Sequence, residues 1–219
     1  MSVDVRPVEL TMPDGVVLRG QQWGDGPDWV ILFHDVGEER DLDDWRPLLP
    51  AILTSERTLL TVDLAGHGAS DGDTDPDRLA NDLDSILDSA KERGAEWIAV
   101  AGAGVSATQL LKNSAVCPID ALILLSPHLT VEEARQSRGQ GEAKLFAVGS
   151  RSDSFSAAIR QARSASIGWA MLVSLPTDQQ GTDLLAGPYA SQLIERIVPF
   201  VAEQRMLSRT RFIRPTPPD

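Results

Sequence analysis

A strand-to-helix turn near the middle of the chain has the form of a catalytic elbow without a reactive side chain. Residues 97–109 read Trp-Ile-Ala-Val-Ala-Gly-Ala-Gly-Val-Ser-Ala-Thr-Gln, which predicts a buried strand followed by a helix. In a G-x-S-x-G elbow, this strained turn presents a serine oxygen as the nucleophile. The residue at the apex here is Gly104. The sequence therefore predicts that the turn is kept and the nucleophile is lost.

Polar segments follow two other predicted strands. Residues 34–37, His-Asp-Val-Gly, come directly after the apolar run 29–33. Residues 63–72, Asp-Leu-Ala-Gly-His-Gly-Ala-Ser-Asp-Gly, come directly after the run 58–62. Ligands of open α/β sheets bind at the carboxyl ends of the strands. Both segments are therefore expected to lie on the same edge of the sheet as the elbow.

The elements that position these segments alternate along the chain. Two short strands, about 7–12 and 15–23, are joined by Pro-Asp-Gly at 13–15 and predict a hairpin. Six apolar runs have the length expected of parallel strands buried on both faces: 29–33, 58–62, 97–101, 121–125, 144–148 and 170–175. Residues 77–93 and 188–204 carry the apolar stripe of amphipathic helices. The pattern predicts an α/β fold with a doubly wound, mostly parallel sheet of about eight strands and helices on both faces.

In this order the motifs resemble those of the α/β-hydrolase family. Residues 34–37 are similar to its H-G-x-G oxyanion loop, residues 44–48 to D-W-x-x-L, and residues 63–72 to D-x-x-G-H-G-x-S, in which His67 braces the loop. The resemblance covers nearly the whole chain and implies a lidless core of dienelactone-hydrolase-like or small esterase-like type. No cap domain is expected, because residues 126–143, where lidded hydrolases carry their cap, suffice only for a loop and one helix.

The resemblance leaves two of the three catalytic positions without a reactive group. Gly104 stands at the family's serine, and Gln180, within Thr-Asp-Gln-Gln-Gly-Thr-Asp-Leu at 177–184, stands at its histidine. The acid position, in the turn after the run 144–148, is filled by Asp153. Glycine cannot attack, and glutamine cannot take a proton near neutral pH. No intact triad is therefore expected.

A degenerate triad predicts a pseudoenzyme that has lost serine-hydrolase activity and acts as a small-molecule-binding or interaction protein. The predicted pocket consists of six residues around the former site: His34, Asp35, Val36, Val105, Ser106 and His128. The backbone N–H groups of Val36 and Val105 are expected to floor a small void at the elbow. A water molecule, a carboxylate- or carbonyl-bearing ligand, or Asp35 itself is expected to fill it.

A second hypothesis keeps the protein an enzyme, as a hydrolase or lyase of unconventional mechanism. His128 follows the run 121–125 at the sheet edge, where it could act as a base with Asp153 or Asp35 as partner. Ser106 is the nearest hydroxyl to the apex, and capping the helix start is its competing role. Asp35 replaces the usual glycine beside the oxyanion donor, where its charge opposes a developing oxyanion.

Five aspartates have the spacing of an EF-hand loop: Asp71, Asp73, Asp75, Asp77 and Asp82. However, Pro76 stands where a calcium loop needs glycine, and the last position is not the bidentate glutamate. Acidic residues at a helix start are the better explanation. We therefore expect no metal site and no cofactor.

Composition narrows the partners and the compartment. Twenty Lys and Arg residues against 32 Asp and Glu residues give a net charge of −12, which argues against nucleic acid and membrane surfaces as partners. The single cysteine, Cys117, cannot form an internal disulfide, and no signal peptide is evident, so a cytoplasmic protein is expected. Residues 1–206 are predicted to form one domain and residues 207–219 a basic, Pro-rich tail. The oligomeric state is not predicted.

Overall fold

Eight strands form one sheet in the computed structural model, which describes residues 4–113, 118–128, 130, 144–150 and 170–211. The strands are β1 (Val5–Thr11), β2 (Val17–Trp23), β3 (Asp28–Phe33), β4 (Arg57–Val62), β5 (Trp97–Ala103), β6 (Ala121–Leu125), β7 (Lys144–Ser150) and β8 (Ala170–Leu175). Their order across the sheet is β1-β2-β4-β3-β5-β6-β7-β8. The pairs β1–β2 and β2–β4 are antiparallel and all other pairs are parallel. The predicted fold class is confirmed.

Helices cover both faces of this sheet. The α-helices are α1 (Leu49–Ile52), α2 (Arg78–Glu92), α3 (Gly104–Asn113) and α4 (Ala190–Arg211), and 3-10 helices span Leu42–Trp45 and Gly181–Leu185. The apolar stripes of α2 and α3 belong to one hydrophobic cluster, and those of α1 and α4 belong to a second one on the opposite face. The sheet between the two clusters is therefore buried on both sides at its centre.

Strand β3 shows how the sequence produces this burial. Ile31 and Phe33 contribute to the cluster with α2 and α3, whereas Val30 and Leu32 contribute to the cluster with α1 and α4. Successive side chains of a strand point to opposite faces, so a continuous apolar run can pack against two layers of helices. All six residues of β3 are buried.

The carboxyl ends of four strands meet at one edge. Phe33 is in register with Val62 of β4 and with Gly102 of β5, and Ala103 is in register with Leu125 of β6. The loops after these strands therefore start side by side. This edge carries the elbow and the segment 34–37.

The C-terminal helix continues past the predicted boundary between domain and tail. The division at 206 lies inside α4, which runs to Arg211. Arg205 contacts Asp28 at the start of β3, with 2.7 Å between Nε and Oδ1, and Arg209 lies 3.5 Å from the other oxygen of the same buried carboxylate. The first residues assigned to the tail are thus part of the folded body.

Two regions relevant to the predictions fall partly outside the described residues. The connection 126–143, predicted to lack a cap, is described only at 126–128 and 130. Cys117 also lies outside them. In the described part of the chain, no helix has both the length and the apolar character needed to cross a membrane.

Candidate functional site

Gly104 is the first residue of α3, directly after β5, and its φ is +51°. This left-handed conformation is the one expected at a strained strand-to-helix elbow, and glycine adopts it at little cost. A Cβ atom at this position would overlap the carboxylate of Asp35. The elbow predicted from the sequence is present, and its apex faces a carboxylate from another loop.

The carboxylate of Asp35 occupies the place of an oxyanion. Its Oδ1 accepts hydrogen bonds from the backbone N–H of Val36 and from that of Val105, each at 2.8 Å. Val105 follows the elbow apex, and Val36 belongs to the oxyanion-loop segment 34–37. An oxyanion hole is built from such a pair of N–H donors. Of the occupants expected for the void, Asp35 fills it, so an external ligand has no room there.

Two histidine rings hold the segment 34–37 in this position. The His34 Nδ1–H donates to the carbonyl of Asp35 at 2.6 Å, and its Nε2 accepts from the N–H of Leu64 at 3.0 Å. The His67 Nε2 accepts from the N–H of Gly37 at 3.2 Å, which is the bracing role implied by the resemblance. The two rings meet edge to face, with 5.0 Å between their centroids.

The ring of His34 is neutral and already fully hydrogen-bonded. Burial lowers the pKa of His34 below its ordinary value, the bond to the Asp35 carbonyl opposes this, and the neighbouring His67 lowers it further. The position of the ring proton follows from the partners, because Nε2 faces an N–H donor and must accept. With both nitrogens engaged, His34 positions the loop and has no free site for a substrate proton.

Ser106 is turned away from the hole. Its hydroxyl donates to the carbonyl of His34 at 2.6 Å, and the residue is buried. The bond ties α3 to the segment 34–37 from behind the elbow. This donation to a carbonyl of a neighbouring loop differs from both roles considered for Ser106, the nucleophile and the cap of the helix start.

The turn after β8 brings the predicted base position to the same edge. Gln180 is extended and exposed, and it precedes the 3-10 helix that begins at Gly181. A Cβ atom at Gly181 would lie 3.7 Å from Oδ2 of Asp35 and 4.0 Å from the nitrogen of Gly104. Gly104 and the turn that carries Gln180 therefore lie close together at this edge.

Arg40, which the sequence analysis did not assign to the site, links the loop after β3 to the turn after β8. Arg40 donates to both carboxylate oxygens of Asp183, at 2.9 and 3.0 Å, and to Asp44 at 3.3 Å. Thr182 donates to the same Asp44 oxygen at 3.1 Å. The hydrogen bonds from Arg40 lower the pKa of Asp183, although its partial burial acts in the opposite direction. No local sequence signal reveals a pair separated by 143 positions.

An open cleft of about 640 Å³ lies in front of the filled hole. Its lining consists of Asp35, Arg40, Thr177, Asp178, Gln179, Gln180 and Asp183. Three carboxylates face one guanidinium that is already bound to Asp183. The cleft therefore favours neutral hydrogen-bond donors and cations over anions.

Among the described residues, His128 and the aspartates with EF-hand spacing are not part of the lining of the cleft in front of the hole. His128 is exposed on the loop after β6, and its carbonyl accepts from Thr108 at 3.2 Å. Asp153 lies outside the described residues. Two of the aspartates with EF-hand spacing form ion pairs: Asp71 with Arg19 and Asp82 with Arg78. Among the residues that the structure describes, no group of three or more acidic, histidine or cysteine side chains could hold a metal ion.

Comparison with known proteins identifies the fold. No protein-family model and no curated protein sequence matches the chain. An esterase from Pyrococcus furiosus superposes with a TM-score of 0.75 at 17% identity, over 93% of this chain and 92% of that chain. Est1E from Butyrivibrio proteoclasticus with bound ferulic acid gives 0.74 at 17% identity, over 91% of this chain and 100% of that chain. A serine hydrolase involved in carbazole degradation gives 0.67 at 12% identity, over 91% and 99%. The chain has the α/β-hydrolase fold.

Proposed function

We propose that this protein is a non-catalytic member of the α/β-hydrolase fold that binds a small molecule, or a partner, in the cleft outside its filled oxyanion hole. The observation that carries the proposal is the pair of 2.8 Å hydrogen bonds from Val36 and Val105 to Oδ1 of Asp35. An internal carboxylate uses the donors on which ester hydrolysis depends.

Three deficits act together against serine-type hydrolysis. Gly104 offers no nucleophile, and Gln180 offers no base. The oxyanion of a tetrahedral intermediate would find both N–H donors taken and a negative charge in their place. Loss of a single oxyanion-hole donor already lowers kcat by about 10²–10³-fold. Filling the hole is therefore a severe obstacle independent of the triad.

The enzyme hypothesis uses His128, Asp153 or Asp35, and of these the structure describes His128 and Asp35. Asp35 is poorly suited to attack carbon, because the two N–H donors stabilise the carboxylate charge that attack would disperse. His128 is exposed and is not part of the lining of the cleft that contains Asp35 and Gln180. A hydrolase or lyase mechanism would have to join His128 to that cleft.

The proposed ligand site is the cleft in front of the hole, whereas the sequence predicted a ligand in the void at the elbow itself. The hole is closed, and the cleft in front of it presents carboxylates, amides and a hydroxyl. These groups accept hydrogen bonds more readily than they donate them. Ligands bearing hydroxyl or amino groups therefore fit this surface better than carboxylic acids or phosphates.

Exposure of the purified protein to a fluorophosphonate probe and to a panel of p-nitrophenyl esters tests the loss of activity. We expect no labelling and hydrolysis at the rate of buffer alone. Ser106→Ala is the matched control for labelling, because it removes the hydroxyl that follows the elbow apex most closely in the sequence. Labelling that disappears in Ser106→Ala, or turnover that disappears in His128→Ala, would overturn the proposal.

NMR titration of the protein with small alcohols, amines and carboxylic acids tests the binding site, with the backbone amide chemical shifts as the readout. We expect alcohols or amines to shift the amides of Asp178, Gln179 and Gln180 while the amide of Val105 stays unchanged. A carboxylic acid that shifts Val105 in the native protein would show instead that Asp35 is readily displaced.

A further inference from the structure

The turn after β8 covers Asp35 in the hole, and Arg40 joins this turn to the loop that follows Asp35. We define residues 177–183 as the strap. Gly181 of the strap packs over Asp35 and Gly104: a Cβ atom at Gly181 would be in ordinary van der Waals contact with Oδ2 of Asp35, at 3.7 Å. The φ of Gly181 is +55°, a left-handed conformation that favours glycine.

Arg40 extends from the loop that follows Asp35 and reaches the far end of the strap. It contacts Asp183 through both nitrogens of its fork, and Nη1 also lies 3.4 Å from the hydroxyl of Thr182 and 3.3 Å from Asp44. Thr182 is buried and donates to Asp44 in turn. A bidentate ion pair within a small network therefore joins the loop after β3 to the strap. Such a pair fixes geometry better than a single exposed contact does.

We propose that Arg40 is a positioning residue that fastens the strap over Asp35 and thereby keeps the carboxylate in the oxyanion hole. Release of Arg40 from Asp183 lets the strap lift, and Asp35 then leaves its N–H donors more often. The strap would thus control access to the cleft and hole, and the role of that control in ligand binding rests on the proposed function. The coupling between the strap and the hole stands apart from catalysis.

Amide hydrogen exchange reports this coupling directly. The N–H groups of Val36 and Val105 are protected by Asp35, so their exchange measures how often the carboxylate departs. In Arg40→Gln and in Asp183→Asn we expect both amides to exchange about fivefold faster, the effect of losing one well-made ion pair. The amide of Val100, in the buried centre of β5, should not change.

Arg46→Gln is the matched control. Arg46 pairs with Asp43 at 2.7 Å on the same loop, and its side chain is exposed. This variant removes an arginine and an ion pair without touching the strap, so exchange at Val36 and Val105 should match the wild type. Arg40→Lys retains the charge without the fork and should give an intermediate rate.

The double variant Arg40→Gln with Asp183→Asn distinguishes a coupled pair from two separate effects. If the residues act through each other, it should exchange no faster than either single variant. Unchanged exchange in both single variants would overturn the inference, as would an equal acceleration in Arg46→Gln or at Val100. Neither result bears on fluorophosphonate labelling, so failure of this inference and failure of the proposed function are distinguishable.

Discussion

The carboxylate of Asp35 lies in the space that any side chain at Gly104 would enter. In this backbone, the Asp35 carboxylate and a side chain at position 104 cannot both be present. An aspartate in the hole therefore requires a glycine at the elbow. The aspartate also satisfies the N–H of Val105 in the first turn of α3, where a negative charge interacts favourably with the helix dipole. The proposed function assigns this contact to the position at which a serine hydrolase carries its nucleophile.

Gly104→Ser should destabilise the native protein by about 2–4 kcal/mol, the sum of overlap with Asp35 and of strain at a positive φ. Asp35→Gly in the same background should recover the steric part. Urea denaturation of the four members of this double-mutant cycle measures the coupling. Gly94→Ser is the control, because Gly94 also has a positive φ but has open space around its Cβ position. Equal losses at positions 94 and 104 would contradict a steric conflict.

Asp35→Ala should lower the free energy of unfolding by about 1–3 kcal/mol, because two partly buried N–H groups lose their acceptor. Asp35→Asn retains an amide oxygen and should lose less. Acetate should partly restore the stability of Asp35→Ala and leave the wild type unchanged, because only the variant has a vacant hole. Thermal unfolding with and without acetate provides the measurement. The idea fails if acetate stabilises both proteins equally.

The triple variant Asp35→Gly, Gly104→Ser, Gln180→His should hydrolyse p-nitrophenyl acetate. The nucleophile, the base and an empty oxyanion hole are then present together. Omitting Gln180→His should reduce the rate by about 10²-fold or more, the usual contribution of a general base. Omitting Asp35→Gly should abolish it, because the carboxylate both blocks the serine and fills the hole. A folded triple variant no faster than the wild type would count against a hydrolase site that has lost these groups.

The buried His34 should make stability depend on pH in the acid range. Its pKa is lowered in the folded protein relative to an ordinary value of 6.5, so the unfolded chain takes up a proton first as pH falls. The contribution of His34 is therefore complete above pH 6.5 and is lost as pH falls through the lower folded pKa. Denaturation at a series of pH values should show a smaller slope below pH 6.5 in His34→Gln. An NMR titration of His34 in the wild type at or above 6.5 would contradict this prediction.

Asp183 should titrate below the ordinary aspartate range, because Arg40 lowers its pKa. Its contribution to stability is present above the unfolded pKa and is lost as pH falls through the lower folded value. Half of the Asp183 side chain is exposed, so solvent screening limits the effect to a fraction of a kcal/mol, about the size of a surface pair. NMR titration of the Asp183 carboxyl should show an upward shift in its pKa in Arg40→Gln. An unchanged titration would mean that the ion pair does not form in solution.

The sequence alone was sufficient to predict the architecture. Short apolar runs alternating with amphipathic stretches define a doubly wound sheet, because burial on two faces demands uninterrupted hydrophobic strands. Gly104 has no side chain that could attack, and the amide of Gln180 cannot act as a base, wherever the backbone places these residues.

Only the tertiary structure shows which group occupies the oxyanion hole. The sequence placed Asp35 beside the oxyanion donors, but it left a water molecule, a ligand and the aspartate itself as competing occupants. The choice depends on loop positions set by contacts between distant segments, such as Leu64 with His34 and Gly37 with His67. The pairing of Arg40 with Asp183 likewise joins positions 143 residues apart, which no periodicity or local motif records. Local patterns determine which elements form, whereas long-range hydrogen bonds determine which side chain occupies the space between them.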